Sequence, residues 1–70
     1  MEVYNLKVQN LRLQEAVQKI VRELKKLYAV QLVDVNMKNS QVKVILGELG
    51  SIVACKSALH GMGYPVEQII

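Results

Sequence analysis

Few side chains in this sequence could bind a soft metal ion or act as a nucleophile. The chain has one cysteine, Cys55, one histidine, His60, and three methionines, of which Met62 lies closest to both. If all three lie on one helix, His60 points about 140° away from Cys55, and Met62 lies about 10 Å further along the axis than Cys55. One ion could therefore not reach two of them. A single cysteine also excludes an internal disulfide and any site that needs two thiolates from one chain.

The carboxylates do not form an acid–base pair either. Glu15 and Glu23 are separated by two turns of a predicted helix and Asp34 lies on a predicted strand, so we predict that the chain is not an enzyme. Cys55 is predicted to be a small core residue, because free cysteine is among the most buried residue types, with a metal-ligand role as the alternative. His60 is predicted to be exposed near a helix carboxyl end, where partial positive charge is mildly favourable.

The composition indicates one small domain with an aliphatic core. The chain has 70 residues, 51% of them hydrophobic, no Trp or Phe, and a formal net charge of +3. We predict a single domain over residues 1–70, alone or as a module of a longer chain. The sequence lacks a signal-peptide pattern and an apolar run near the roughly 18–20 residues of a membrane span. With no disulfide framework, this predicts a cytoplasmic protein without membrane insertion.

Hydrophobic periodicity predicts four strands and two helices. The predicted strands cover residues 3–8, 30–38, 41–46 and a short segment from Pro65, and the predicted helices cover residues 12–28 and 52–61. The first helix is amphipathic, with Leu13 as the first residue of its buried face. Ser51 can cap the start of the second helix. Ile69 and Ile70 are apolar candidates in the last strand.

The element order βαββαβ predicts the fold. A right-handed crossover for each βαβ unit gives the ferredoxin-like α+β fold, a four-stranded antiparallel sheet with both helices on one face. The second strand, if it lies at the sheet edge, could pair with a partner strand, although Lys38 would oppose this. The other face of the sheet is predicted to be mostly polar and to carry Asn5, Lys7, Asp34, Asn36, Lys43 and Ile45.

Three stretches of the sequence follow recognisable patterns. The second predicted strand reads V-x-x-V-x-V-x-[LMF], with Val30, Val33, Val35 and Met37. The second helix ends in apolar-x-x-apolar-Gly-Tyr, with Leu59, Met62, Gly63 and Tyr64, and the first helix starts directly after the first strand. Together these stretches resemble the heavy-metal-associated domain of copper chaperones, mercury-binding proteins and P-type ATPase amino-terminal modules. The resemblance covers nearly all of the chain and implies the same fold.

The resemblance also locates the family's metal loop. That loop reads G-M-x-C-x-x-C, and its two thiolates bind soft Cu(I). It corresponds to residues 10–16 of this chain, where Leu13 and Ala16 take the two cysteine positions. Leu11 takes the place of a buried Met, and Tyr64 takes a position that in bacterial members often lies under the loop. The resemblance therefore implies a degenerate loop without metal or other cofactor, formed by Asn10, Leu11, Arg12, Leu13, Ala16 and Tyr64.

Basic side chains are concentrated on and next to the first predicted helix. They are Arg12, Lys19, Arg22, Lys25 and Lys26. In the family, basic chaperone surfaces meet acidic surfaces of target domains, so the resemblance implies a protein partner with an acidic surface, such as a transporter domain, docked on Lys19, Arg22 and Lys26. The alternative is a solvated helix face. Nucleic-acid binding is not predicted, because Tyr4 aligns with the buried side of the sheet and no aromatic residue lies on the open side.

These observations favour a non-catalytic protein-interaction or regulatory module in metal transport or metal homeostasis. Two alternatives stay open. In the first, the chain binds Cu or Zn through other ligands, such as Cys55 from both subunits of a homodimer. In the second, it is a small effector-sensing module similar to an ACT domain, with its ligand at a dimer interface. ACT domains favour a glycine in the loop after the first strand, and none lies between Asn10 and Ala16.

Overall fold

The helices and strands of the computed structural model, which describes residues 1–70, follow the predicted order. They are β1 (Glu2–Val8), α1 (Gln14–Lys25), β2 (Val30–Asn36), β3 (Gln41–Leu46), α2 (Ile52–Gly61) and β4 (Val66–Ile69). The strands form one antiparallel sheet in the order β2-β3-β1-β4. Both helices pack on one face of it, which confirms the ferredoxin-like prediction. Neither helix combines the length and apolar character that a bilayer span requires.

The core lies between the two helices and the inner face of the sheet. On the central strand β3, Val42, Val44 and Leu46 are each 0% exposed. The other buried residues are Leu6, Val8, Leu11, Ala16, Ile20, Leu24, Val33, Cys55 and Leu59. No polar or charged residue is buried, so burial of aliphatic surface is the main interaction that holds the helices on the sheet.

Helix α1 is shorter than the predicted segment 12–28, and its start corrects the assignment of one residue. The helix begins at Gln14, and Leu13 is its N-cap residue with extended backbone angles, φ −108° and ψ 142°. Leu13 was predicted on the buried face but is 66% exposed. The prediction was wrong here because apolar spacing does not distinguish a first helical turn from the extended residue that precedes it. At the other end, Ala29 has a φ of 63° and turns the chain into β2.

Strand β2 begins at Val30, as predicted, but it contains a bulge and ends before the predicted residue 38. A bulge shifts its register with β3 between Val30 and Leu32, which explains why the buried pattern begins with a step of three residues. The strand ends at Asn36. Lys38 lies in the turn that follows and is not part of the strand.

Helix α2 has the predicted bounds and well-defined ends. The Ser51 side chain accepts a hydrogen bond from the amide of Ala54 at 3.1 Å, which confirms it as the cap. After the helix, Gly63 has a φ of 93°, a left-handed conformation that favours glycine. The amide of Tyr64 then donates to the carbonyl of Leu59 at 2.8 Å, so the helix ends in a Schellman motif.

The open face of the sheet is less polar than predicted. All six predicted residues lie on it, but the prediction omitted two apolar neighbours, Val3 and Leu32, which are 51% and 40% exposed. Both are in register with Ile45 of β3. Tyr4 packs partly against the core on the other side. In the last strand, the apolar candidate Ile69 is in register with the buried Leu6, on the face that the helices cover, but is 44% exposed.

Candidate functional site

The loop between β1 and α1 contains the positions that the resemblance assigns to metal binding. Asn10 has a left-handed backbone with φ 67°, a conformation that Asn adopts more readily than most residues. Its side-chain Nδ2 donates a hydrogen bond to the carbonyl of Gly63 at 3.1 Å. The amide of Gln9 donates to the carbonyl of Pro65 at 2.9 Å. The loop is therefore attached to the segment between α2 and β4 by two hydrogen bonds.

The two positions that the resemblance assigns to cysteine differ in their exposure. Leu13 is 66% exposed and Ala16 is 4% exposed. The amide of Ala16 donates to the carbonyl of Leu13 at 2.9 Å. Because the Leu13 side chain cannot accept a hydrogen bond, the start of α1 has no side-chain cap. Leu11, two residues before Leu13, is buried in the core cluster, as is Ala16. Because neither Leu13 nor Ala16 has a side-chain lone pair, this loop has no side-chain metal ligand at either position.

Tyr64 lies just after the segment to which the loop is attached. Its side chain is half-buried and packs against the core. The preceding residue, Gly63, provides the carbonyl that accepts from Asn10. The structure therefore brings the backbone next to Tyr64 into contact with the loop.

A shallow polar cavity of ≈ 470 Å³ opens beside the loop and was not predicted from the sequence. Its polar lining consists of Lys7, Gln9, Asn10, Arg12, Ser40 and Glu67. The Gln9 Nε2 donates to the Glu67 Oε1 at 2.9 Å across one side. The lining comes from three separate segments of the chain, residues 7–12, Ser40 and Glu67, which become neighbours only once β1 lies between β3 and β4. No local pattern in the sequence indicates that neighbourhood.

The three basic residues predicted to dock a partner are all exposed on or just after α1. Lys26 Nζ is 3.1 Å from Glu23 Oε2, the one ion pair in the structure, and both side chains remain substantially exposed. Such a surface pair contributes little to stability. Lys19 and Arg22 are exposed and form no ion pair, so their charges are available to a partner.

The sulfur and imidazole groups of α2 are not arranged as a metal site. Cys55 is 0% exposed in the core, as predicted, and burial raises the pKa of its thiol. His60 is exposed, as predicted, and its Nε2 accepts from the amide of Val66 at 3.3 Å. Met62 packs partly against the core. No group of three or more His, Cys, Asp or Glu residues is close enough to hold a metal ion.

The other perturbed titratable group lies at the far end of β1 from the loop. The hydroxyl of Tyr4 donates a hydrogen bond to Glu2 Oε2 at 2.9 Å. This bond, with smaller effects from desolvation and the negative charge of Glu2, raises the pKa of Tyr4.

Fold and loop position together indicate the class of protein that this chain resembles. A CopZ metallochaperone is 26% identical with a TM-score of 0.85, over 93% of this chain and 98% of that chain. The N-terminal domain of PacS from Synechocystis PCC6803 is 21% identical with a TM-score of 0.87, over 100% and 98%. A copper binding domain from HMA7, a P-type ATPase, is 14% identical with a TM-score of 0.90, over 100% and 95%. No family model and no curated protein matches the sequence.

These structures confirm the resemblance to heavy-metal-associated domains that the sequence indicated. The chain has their fold over its whole length. It has one cysteine, Cys55, and that cysteine lies on α2 and not in the loop between β1 and α1.

Proposed function

We propose that the chain is a heavy-metal-associated domain without the usual Cu(I) thiolate pair, and that it acts as a non-catalytic protein-interaction or regulatory module in cytoplasmic metal homeostasis. One observation carries the proposal. On a scaffold that matches a metallochaperone and a copper-binding ATPase domain, the sequence resemblance assigns Leu13 and Ala16 to the two thiolate positions. Cu(I) selects soft sulfur ligands, and an aliphatic side chain offers none.

The remaining sulfur groups do not replace the missing pair. The Cys55 side chain is fully buried between α2 and the sheet, where an ion would have to displace core contacts to reach it. The thiolate is the form that binds metal, and burial raises the pKa of this thiol and so disfavours the thiolate. Full burial also argues against a site shared by Cys55 from two subunits.

The partner that fits best is a protein domain with an acidic surface, such as a domain of a metal transporter. Lys19 and Arg22 present unpaired positive charge on α1, and Leu13 presents an exposed apolar side chain at the start of the same helix. A transient protein interface usually has an apolar centre surrounded by polar and charged side chains. Charge complementarity would mainly raise the association rate and the specificity.

A competition titration with Cu(I) tests the loss of the metal site. The reduced protein and its Cys55→Ala variant are titrated with Cu(I) in the presence of a chromogenic Cu(I) chelator. We expect neither to remove the metal from the chelator with one-to-one stoichiometry. Tight one-to-one binding that persists in Cys55→Ala would overturn the proposal. Tight binding that Cys55→Ala abolishes would also overturn it, in favour of the alternative in which Cys55 is a ligand.

An NMR titration tests the interaction. The labelled protein is titrated, without metal, with an acidic heavy-metal-associated domain from a P-type ATPase. We expect amide shift changes around Leu13 and along the exposed side of α1, and their loss in the double variant Lys19→Glu, Arg22→Glu. The matched control is Lys56→Glu, which reverses an exposed charge on α2. Equal effects of the α1 and α2 variants, or no shift changes in the unmodified protein, would contradict the proposed docking surface.

A further inference from the structure

The polar cavity beside the loop between β1 and α1 is lined by two cations that no carboxylate neutralises. They are Lys7 and Arg12, and both side chains are exposed. The one ion pair of the structure lies at the far end of α1, so neither cation takes part in it. In the sheet, Lys7 is in register with two neutral residues, Gln41 of β3 and Gln68 of β4. Both positive charges are therefore available to a ligand in the cavity.

One carboxylate, Glu67, also lines the cavity, and it bonds to a neutral side chain. The register between β1 and β4 shifts between Lys7 and Val8, which leaves Glu67 as the unpaired residue of a bulge. Its Oε1 accepts a hydrogen bond from Gln9 Nε2 at 2.9 Å and forms no ion pair with either cation. Two cations and one carboxylate leave the lining with a net charge of +1.

Hydrogen bonds join the three segments that form the walls of the cavity. The amide of Val8 donates to the carbonyl of Ser40 at 2.9 Å, which attaches β1 to the turn before β3. The bond between Gln9 and Glu67 attaches the end of β1 to β4. The walls are thus fixed by the fold itself, and a ligand that enters has less to order, which favours binding.

The lining also has many hydrogen-bond donors for its size. The backbone amides of Asn10, Leu11 and Arg12 donate no hydrogen bond within the protein. A lysine ammonium has three donors, and an arginine guanidinium has five in a planar fork that matches the oxygens of a phosphate or carboxylate. The Ser40 hydroxyl can also donate. Such a set suits a ligand that is negatively charged and rich in acceptor oxygens.

We propose that this cavity binds a small oxyanion through Lys7 and Arg12. Phosphate and carboxylate groups share this chemistry, and a volume of ≈ 470 Å³ lies within the range of small-molecule sites. Because both cations are exposed, each contributes modestly, and salt weakens the interaction. The proposal does not rest on the proposed function, since Lys19 and Arg22 of the docking surface do not line the cavity.

An NMR titration tests for the site. The isotopically labelled protein is titrated near neutral pH with sodium phosphate and, separately, with sodium acetate, while sodium chloride keeps the ionic strength constant. We expect at least one probe to give saturable shift changes confined to the amides of residues 7–12, Ser40 and Glu67, and the probe that saturates identifies the oxyanion. If both probes give only shifts that do not saturate, or shifts spread over the whole surface, the proposal is overturned.

Charge variants test which residues carry the binding. Lys7→Gln and Arg12→Gln should each weaken binding of that probe by about two- to fivefold, the range expected for an exposed charge pair. Glu67→Gln should strengthen it, because the neutral amide no longer repels the anion and its oxygen can still accept from Gln9. The matched control is Lys56→Gln, which removes an exposed cation of α2 outside the lining and should leave the affinity unchanged.

All four variants change exposed side chains, so their circular dichroism spectra should match that of the unmodified protein. Three results would overturn the proposal: unchanged affinity in both Lys7→Gln and Arg12→Gln, equal weakening by Lys56→Gln, or weaker binding in a folded Glu67→Gln.

Discussion

The double variant Leu13→Cys, Ala16→Cys should restore Cu(I) binding to this chain. It places two thiols three residues apart at the start of α1, one on the exposed N-cap residue and one in the buried first turn. A helix N-terminus lowers the pKa of a nearby thiol, which favours the thiolate at the exposed position 13 and opposes the effect of burial at position 16. Leu11, Asn10 and the attached segment at Gly63 remain unchanged, and so does the shape of the loop.

The cost of the two substitutions can be worked out from their burial. Leu13 is 66% exposed, and an exposed change of this kind alters the free energy of unfolding by no more than about 0.5 kcal/mol. This is well below the cost expected if Leu13 were a core residue. Ala16 is 4% exposed, and one extra heavy atom in a packed core costs about 1–3 kcal/mol. For a domain of this size, each kcal/mol lowers Tm by about 4–8 °C.

Metal should recover most of that loss. A ligand that binds only the folded state at a free concentration one hundred times Kd raises the free energy of unfolding by about 2.7 kcal/mol. The apo variant should therefore melt below the unmodified protein, and the Cu(I)-loaded variant should melt near or above it. Competition with a Cu(I) chelator, in parallel with thermal melting, measures both effects in one preparation.

A matched control separates sulfur ligation from packing. Leu13→Ser, Ala16→Ser changes size in the same way but offers hydroxyl oxygens, which Cu(I) does not favour, so no Cu(I)-dependent rise in Tm is expected. A double cysteine variant that folds, as circular dichroism would show, yet takes no Cu(I) from the chelator would refute the assignment of Leu13 and Ala16 to the thiolate positions. Equal stabilisation of the serine variant would show that binding does not depend on sulfur.

Three further predictions concern stability. Leu24→Ala should lower the free energy of unfolding by about 2–5 kcal/mol in urea, because Leu24 is 0% exposed and its removal leaves a cavity; a smaller loss would mean that the site collapses. Ser51→Ala should cost about 1 kcal/mol in the same assay, and Ser51→Gly less, because the bond to the Ala54 amide is lost. Burial raises the pKa of the Cys55 thiol in the folded state. The contribution of the neutral thiol to the free energy of unfolding is therefore complete below the ordinary pKa of about 8.5 and is lost as pH rises through the folded-state pKa. Above the ordinary pKa of the thiol, the urea midpoint should therefore fall more steeply with pH in the unmodified protein than in Cys55→Ala. Equal pH dependence of the two midpoints would contradict this prediction.

The fold could be predicted because each helix and strand has a clear hydrophobic pattern, and because the element order βαββαβ is compatible with few topologies. Alternation around Val42, Val44 and Leu46 identifies the central strand, and the Ser51 cap fixes the start of α2. The errors lie at ends and irregularities. A bulge after Val30 and an extended N-cap both produce apolar spacings that resemble a regular element, and only the backbone hydrogen bonds distinguish them.

The candidate site could be predicted only where it is local in the sequence. The positions from residue 10 to residue 16 follow from the resemblance along one strand, loop and helix. The cavity beside them depends on Ser40 and Glu67, which are far from the loop in the chain. The bond from Asn10 to Gly63 likewise joins residues 53 positions apart, and no periodicity indicates such a pair.

The bond between Asn10 and Gly63 also affects how much order the loop must gain when it binds. Side chains and loops that become fixed only on association reduce affinity by the conformational entropy that they lose. Here three features hold the loop in place: the left-handed backbone of Asn10, its side-chain hydrogen bond to Gly63, and the hydrogen bond from Gln9 to Pro65. None of them involves a metal ion. The ordering has already occurred during folding, so a partner meets a preorganised surface. A loop held in this way has, before any ligand binds, the rigidity that recognition by another protein requires.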